Sequence, residues 1–310
     1  MTAFFLIGPT AVGKTAVAHC IASESGYSIL SADSMLVYKG LDIGTAKPDV
    51  KELDEVSYYG INLISPDSSY TVWDYRKYAL EVFDSKNHKT EILVTGGSGL
   101  YIKALTHGLA DKTGIDEDLR FGLEALFRDK GIESLQERLR IKNPDAYAAL
   151  PDKENARRLI RAIEETEKGG EGNLSSRWAQ QSPKVPLVGL SMERDQLNCR
   201  IERRVHIMYD SGLLIEAERL LNSNVELSRT ALQAIGYSEA FACLRGEFTK
   251  NEAIERTIIR TRRFAKRQRT WFRNQADVVW IDVDENYNVA EVAERVSDEW
   301  RKHGPTRIQS

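Results

Sequence analysis

The chain has 310 residues, of which 42% are hydrophobic and 29% are charged, and its formal net charge is −3. These values are typical of a soluble globular protein with room for two domains. They exclude a positive electrostatic potential over the whole surface, so a nucleic-acid partner could bind only at a local basic patch.

Cysteine, histidine and hydropathy patterns indicate a reduced, cytoplasmic protein. The three cysteines, Cys20, Cys199 and Cys243, are far apart, which is typical of free thiols rather than of a disulfide framework. The histidines show no metal-ligand spacing, and no apolar run approaches the roughly 18 residues of a membrane span. The first strand begins almost at once, so we expect no signal peptide.

The most informative pattern lies near the start of the chain. Phe4–Ile7 predict a buried strand, and the next eight residues match the phosphate-binding loop GxxxxGK[ST]. Its glycines let backbone N–H groups point at an anion, its lysine adds a point charge, and its threonine offers a hydroxyl to Mg²⁺. A helix over Thr15–Ile21 would add its N-terminal dipole. The predicted diphosphate-binding residues are Gly8, Pro9, Thr10, Ala11, Val12, Gly13, Lys14 and Thr15.

An acidic residue follows the second predicted strand, Tyr27–Leu30. Asp33 lies just past the carboxyl end of this strand, where α/β sheets hold ligands. Three roles fit it: a partner of Mg²⁺, a general base, or the N-cap of the next segment. The Gly-punctuated loop from Met35 to Lys47 has the composition of a functional lid.

A second glycine-rich junction is predicted further along. A helix capped by Thr71 and running through Phe83 precedes a strand over Glu91–Thr95, which enters Gly96–Leu100. The glycines permit a small anion nest in which Ser98 supplies a hydroxyl. A purely structural turn also fits this junction.

Residues 111–181 are predicted to form an all-helical insertion domain. They show amphipathic helical spacing without clear strands, most strongly over Asn155–Glu167. Arg157 and Arg161 lie one turn apart there, with Arg158 beside them. Pairing with the neighbouring glutamates explains these arginines as well as a polyanion partner does.

Residues 1–110 and 182–310 are predicted to form the catalytic core. Strands over 185–190 and 278–282 return the chain to the sheet, and the tail from His303 is expected to fray. The fold class is therefore α/β, a P-loop NTPase-like parallel sheet flanked by helices.

A strongly basic helix is predicted within the second part of the core. Glu255–Gln275 holds eight basic residues and one acidic residue. Helical spacing turns Ile258, Ala265 and Phe272 toward the core. The density of cations favours contact with a polyanion over a merely solvated face.

Seven motifs follow one another along the chain, at Gly8–Thr15, Ser31–Pro48, Ser69–Tyr75, Thr95–Leu105, Asn155–Glu164, Gln233–Tyr237 and Thr261–Arg273. Their sequences and order resemble those of the bacterial tRNA dimethylallyltransferases, also called tRNA isopentenyltransferases. Position 36 holds Leu where many members have Gln, and the stretch before Asn155 departs from the commoner family sequences. The residues by themselves indicate only a diphosphate and a polyanion.

The resemblance implies transfer of a dimethylallyl group from dimethylallyl diphosphate to N6 of adenosine 37 in tRNA, with Mg²⁺ as cofactor. It implies that the phosphate loop holds the leaving diphosphate, that Asp33 is the general base, and that Ser98 hydrogen-bonds the bridging oxygen of the donor. The partner is the anticodon stem-loop of tRNA, and the protein is expected to be a monomer. The implied tRNA-binding residues are Asp33, Ser34, Met35, Leu36, Arg120, Arg157, Arg158, Leu159, Ile160 and Arg161.

Three other functions are weighed against this one. A small-molecule kinase would turn over ATP and would have no use for the basic helix. An isopentenyltransferase acting on free AMP or ADP would lack the helical insertion. A non-enzymatic RNA-binding protein would leave Asp33 and the complete phosphate loop without a role.

Overall fold

The computed structural model of the chain describes residues 1–85, 91–109, 116–169, 185–223 and 225–309. The chain divides into two compact units, a larger one formed by Met1–His107 with Ser182–Ser310 and a smaller one formed by Gly108–Gln181. The sequence predicts the insertion over 111–181, so the two descriptions differ by three residues at the first junction.

A largely parallel sheet forms the centre of the larger unit, as the sequence predicts. In chain order, its described strands are β1 (Thr2–Ile7), β2 (Ser28–Ser31), β3 (Tyr58–Tyr59), β4 (Ile92–Gly96), β5 (Leu187–Met192), β6 (Val278–Val283) and β7 (Thr306–Arg307). The parallel strands are arranged β3-β2-β4-β1-β5-β6. β2 and β4 are buried along their whole length, because parallel sheets are covered on both faces.

Helices account for most of the remaining described residues. In chain order they are α1 (Lys14–Ser25), α2 (Val50–Glu55), α3 (Val72–Asp84), α4 (Gly99–His107), α5 (Glu117–Lys130), α6 (Ile132–Lys142), α7 (Pro144–Ala149), α8 (Ala156–Glu167), α9 (Arg194–Asp210), α10 (Leu213–Leu221), α11 (Arg229–Leu232), α12 (Tyr237–Leu244), α13 (Lys250–Gln275) and α14 (Val289–His303). None of these helices is long and apolar enough to cross a membrane.

The helix starts follow the capping chemistry of the sequence. The Thr71 hydroxyl accepts a hydrogen bond from Asp74 N, and the Asp74 carboxylate accepts one from Thr71 N, which confirms the predicted start of α3. In α13, Ile258, Ala265 and Phe272 are 8%, 2% and 0% exposed, as helical spacing predicts.

The C-terminal tail differs from its prediction. Instead of fraying, β7 pairs antiparallel with β1, and Ile308 is buried while its N–H donates to Met1 O at 3.0 Å. The prediction was wrong because it rested on terminal position alone. One buried isoleucine and the ladder bonds hold the tail in place.

In the smaller unit, the described residues 116–169 form helices joined by short connections, without a strand. α5 to α8 pack around a core in which Leu123, Leu135, Leu139 and Leu159 are fully buried. Asn155 caps α8 by accepting from Arg158 N, so the arginine-rich turn begins at a defined helix N-terminus.

The assignment of the buried side of α13 predicts how substitutions on this helix change stability. Replacing Phe272 with Ala should lower the free energy of unfolding by about 3–5 kcal/mol, because a fully buried ring is removed from the core. Urea unfolding followed by tryptophan fluorescence measures the change. The control is Ile259→Ala on the same helix, where the side chain is 46% exposed and the expected change is under about 0.5 kcal/mol. Equal losses in the two variants would contradict this assignment of the buried face.

Candidate active site

A cavity of about 460 Å³ lies beside the phosphate loop in the larger unit. It is bounded by the loop itself, by segments that follow β2 and β4, and by side chains of α9 and α13. Among the residues predicted from sequence, it is lined by Thr10, Ala11, Gly13, Lys14, Thr15, Asp33 and Leu36. The predicted phosphate site and the predicted base therefore share one cavity.

The phosphate loop has the backbone conformation that its glycines predict. Gly8, Ala11 and Gly13 all have positive φ values, of 146°, 65° and 103°. A Cβ atom on Gly13 would lie 1.7 Å from the hydroxyl oxygen of Tyr287, so no other residue fits there without displacing that ring. α1 begins at Lys14, which places the helix N-terminus at the loop.

Lys14 is buried, and its Nζ donates to Pro9 O at 2.7 Å. Burial lowers the pKa of Lys14 to about 7, against an opposing effect of the Asp33 carboxylate and a smaller lowering by Arg204. Near neutral pH the charge of this lysine therefore depends on whether an anion is bound beside it.

Asp33 lies between a turn and the cavity. Its Oδ1 accepts a hydrogen bond from Met35 N at 2.9 Å, which is an Asx turn rather than a helix cap. The same carboxylate is half-buried and lines the cavity. The local turn orients the side chain without removing it from the site.

Ser98 contacts the Asp33 segment but does not line this cavity. Its N–H donates to Ala32 O and its Oγ accepts from Ser34 N, both at 3.1 Å. A hydroxyl that accepts from a backbone N–H still has its own proton to donate. The structure thus brings Ser98 beside the predicted base, while Ser34 and Met35 lie in the same turn outside the cavity lining.

Three arginines of α9 complete the site, and the sequence analysis did not assign them. Arg200, Arg203 and Arg204 all line the cavity. Arg200 Nε donates to Ala11 O at 3.0 Å, which ties α9 to the phosphate loop. Burial lowers the pKa of Arg204, Asp33 opposes that effect, and a guanidinium stays charged throughout. Their spacing on one helix was visible in the sequence, but nothing there linked α9 to the loop.

The loop predicted to be a lid is held in place by neighbouring helices. Glu216 of α10 accepts hydrogen bonds from Asp42 N and Ile43 N, and the Tyr237 hydroxyl of α12 accepts one from Gly44 N at 3.1 Å. Lys47 Nζ donates to Asp42 at 2.6 Å within the loop. This support fixes Thr45, Ala46, Lys47 and Pro48, all of which line the cavity.

The lining of the cavity suits an anion. Its lining holds five basic side chains, Lys14, Lys47, Arg200, Arg203 and Arg204, against the carboxylates of Asp33 and Glu52. Within the described residues, no group of three or more His, Cys, Asp and Glu side chains could hold a metal. Mg²⁺ commonly binds through one or two carboxylates together with substrate phosphates. The cavity lining offers oxygen donors of this kind in the Thr15 hydroxyl and in the carboxylates of Asp33 and Glu52.

In the smaller unit, Arg157, Arg158 and Arg161 are exposed. Two of the glutamates considered as their partners are engaged elsewhere. Glu164 accepts two hydrogen bonds of 2.7 Å from Arg120, and Glu167 pairs with Arg138 and Lys142. Both glutamates thus have other hydrogen-bonding partners, although burial lowers the pKa of Arg161 and the Glu164 carboxylate opposes that lowering.

Two neighbours of these arginines are buried. Leu159 and Ile160 were included among the tRNA-binding residues, but they are 0% and 6% exposed in the core of the smaller unit. They face inward because α8 is amphipathic. Their side chains are not available to an RNA. The exposed side chains of this turn are those of the three arginines.

The depressed pKa of Lys14 predicts a pH-dependent affinity for inorganic pyrophosphate. A bound anion favours the charged lysine, so above pH 7 binding must take up a proton, and affinity should fall as pH rises. Calorimetry in buffers of different ionisation enthalpy measures this proton uptake. In the control Lys14→Arg the charge is permanent, so only the titration of pyrophosphate itself should remain. The same uptake in both proteins would contradict the assignment.

Comparisons with known proteins agree with the motifs. The IPP transferase family matches residues 36–275 of the chain. The tRNA dimethylallyltransferase of Acetivibrio thermocellus is 40% identical over 291 residues, covering 90% of this chain and 91% of that protein. The tRNA dimethylallyltransferase of Halalkalibacterium halodurans is 38% identical, with 90% of each chain covered.

Solved structures extend the comparison to the fold. The full-length tRNA isopentenylpyrophosphate transferase from Bacillus halodurans is 36% identical, with 97% of both chains covered and a TM-score of 0.68. A eukaryotic dimethylallyltransferase acting on tRNA is only 21% identical, but it shares the fold over 97% of this chain and 79% of its own, with a TM-score of 0.80. Since the family match and the relatives both span most of the chain, this chain belongs to the IPP transferase family, which confirms the resemblance seen in its motifs.

Proposed function

We propose that the chain is a tRNA dimethylallyltransferase, which moves a dimethylallyl group from dimethylallyl diphosphate to N6 of adenosine 37 and gives N6-(dimethylallyl)adenosine. One observation carries the proposal: the phosphate loop, the arginines of α9 and Asp33 line the same cavity. An anion site and a base within one cavity suit a displacement in which a diphosphate leaves and a nucleophile loses a proton. Family membership supports the prenyl donor and the tRNA acceptor.

The reaction assigns a separate task to each side of the cavity. The C–O bond to the diphosphate breaks as the N6–carbon bond forms, and the electron pair leaves with the diphosphate. Loop N–H groups, Lys14 and Arg204 stabilise the negative charge that develops on this leaving group. Asp33 accepts the proton of the adenine amine, which is a poor nucleophile while it keeps that proton. Ser98, beside the Asp33 turn, is proposed to donate its hydroxyl to the bridging oxygen.

Mg²⁺ is the proposed cofactor. Thr15 would hold it together with the diphosphate, since its hydroxyl oxygen lies at this end of the cavity. When bound, the ion neutralises charge on the diphosphate. The loop residues keep their own task, which is to orient the leaving group.

Recognition of tRNA is proposed for exposed basic side chains. Arg157, Arg158 and Arg161, with Arg120 held by Glu164, would contact the anticodon stem-loop in the smaller unit. The target base has to leave its stack to reach the cavity, where Leu36 and the turn that includes Ser34 and Met35 would contact it. A cytoplasmic monomer remains our prediction.

The basic side chains of α13 include some in ion pairs within the larger unit and others that are exposed to solvent. Arg260 pairs with Glu239 and Arg262 pairs with Glu202, so these two stabilise the larger unit. The exposed cations, proposed to contact RNA phosphates, are Arg256, Arg263, Lys266, Arg267 and Arg273.

The reaction is tested by incubating the purified protein with dimethylallyl diphosphate, Mg²⁺ and unmodified tRNA. Mass analysis of the digested nucleosides should then show one dimethylallyl group on adenosine. Hydrolysis of ATP without this product would favour the kinase. Prenylation of free AMP without modification of tRNA would favour the free-nucleotide isopentenyltransferase.

The role of Asp33 predicts a specific loss of rate. Asp33→Asn keeps an oxygen that can accept from Met35 N, so the turn survives while the base is lost. We expect kcat to fall by at least about 10²-fold with little change in donor affinity. The matched control is Asp284→Asn, because Asp284 Oδ1 accepts from Asn286 N at 2.8 Å in a similar turn outside the cavity lining. Near-normal turnover in Asp33→Asn would remove the base assignment.

The arginine turn predicts a change in salt dependence. Replacing Arg157 and Arg161 with Gln should weaken tRNA binding and reduce the slope of log K against log salt by about 1.4 to 1.8, since two phosphate contacts are lost. Filter binding at several salt concentrations measures the slope. Replacing Arg138 and Arg140, which already pair with Glu167 and Glu137, removes the same charge from α6 as a control. Identical slopes for the two double variants would show a general charge effect only.

A further inference from the structure

Gln268 is a neutral, buried residue of the basic helix α13, and its amide contacts both glycine-rich loops of the larger unit. Oε1 accepts a hydrogen bond from Thr10 N at 2.8 Å, and Nε2 donates to Gly97 O at 3.0 Å. The residue is only 5% exposed, so water cannot readily replace either bond. One side chain therefore joins the phosphate loop after β1 to the junction after β4.

The two contacts require the chemistry of an amide. Thr10 N–H needs an acceptor and Gly97 C=O needs a donor, and glutamine provides both on one planar group. Methionine would leave both backbone groups unpaired, and a glutamate carboxylate would set an oxygen against the Gly97 carbonyl. The fit is also close, because a Cβ atom on Gly97 would lie 2.1 Å from Nε2.

The link continues from Gly97 to the segment that carries Asp33. Ser98, the next residue, donates from its N–H to Ala32 O and accepts at its Oγ from Ser34 N. These two contacts hold the backbone on both sides of Asp33. Thr10 belongs to the loop proposed to hold the leaving group, and Asp33 is the proposed base. Gln268 and Ser98 thus connect these two parts of the site.

We propose that Gln268 is a positioning residue that fixes the phosphate loop relative to the Asp33 turn; this rests on the proposed function. In the displacement, the amine nitrogen, the allylic carbon and the leaving oxygen have to lie in line. A misplacement of about 1 Å between the groups that hold them costs on the order of 10²-fold in rate. Gln268 also lines the cavity, but Oε1 is engaged by Thr10 N and Nε2 by Gly97 O, so its proposed role is exerted through these two backbones.

The first test compares Gln268→Met with Thr257→Val on the same helix. Thr257 is 1% exposed and contacts Ala253 O and the Tyr209 hydroxyl, so it is a buried polar group of α13 outside the cavity lining. We expect Gln268→Met to lower kcat for dimethylallyl transfer roughly 10- to 100-fold, with KM for tRNA within about twofold. Thr257→Val should lower Tm and leave kcat within about twofold. A kcat of Gln268→Met no lower than that of the control would overturn the proposal.

A second variant supplies a rescue that depends on pH. In Gln268→Glu, the carboxylate beside a carbonyl oxygen has a raised pKa, and its protonated form can donate to Gly97 O while accepting from Thr10 N. Activity relative to the unmodified protein should therefore rise as pH falls from 8 to 6, at a temperature where both remain folded. A ratio that does not change with pH would overturn the proposal, even if Gln268→Met fails to fold.

Failure of the proposed function would be seen separately. If the unmodified protein transfers no dimethylallyl group, binding of inorganic pyrophosphate with Mg²⁺ becomes the readout. Weaker binding by Gln268→Met than by Thr257→Val would then support the role of Gln268 in shaping the phosphate loop. Equal binding would overturn that role as well.

Discussion

The site depends on a backbone constraint at the phosphate loop. Its N–H groups have to point at an anion, and this turns several carbonyls away from the cavity, where they need other partners. Three carbonyls of the loop accept hydrogen bonds from side chains: Lys14 Nζ donates to Pro9 O, Arg200 Nε to Ala11 O and the Tyr287 hydroxyl to Val12 O. One N–H group of the loop, Thr10 N, donates to Gln268. Apart from Lys14, these side chains come from outside the loop, so the shape of the loop depends on elements that follow it in the chain.

The same arrangement recurs around the rest of the cavity. Glu216 and Tyr237 fix the loop from Asp42 to Gly44 by its N–H groups, and Ser98 fixes the backbone around Asp33. In each case a side chain from one element satisfies the backbone of another, which suits a site that has to hold charged groups at set distances. The polar groups that support the site are therefore as much a part of it as those that face the substrate.

The sequence predicts those parts of the site that are local. Gly8–Thr15 is a contiguous motif, Asp33 lies just past the end of a strand, and the Thr71 cap is predicted from Asp74 three residues later. Arg200, Gln268 and Tyr287 could not be found in this way, because they reach the phosphate loop across 189, 258 and 275 residues of sequence. Such pairings depend on how the sheet and helices assemble, and no local pattern records them.

The position of β1 in the sheet also has a consequence for folding during synthesis. β1 pairs with β4 and β5 at its sides and with β7 near its start, and all three lie later in the chain. During synthesis, the strand that leads into the phosphate loop has to wait, unpaired, until distant partners emerge from the ribosome. An element near the N-terminus is therefore among the last to be completed. Until then its apolar run, Phe4 to Ile7, lacks the two strands that flank it in the folded protein.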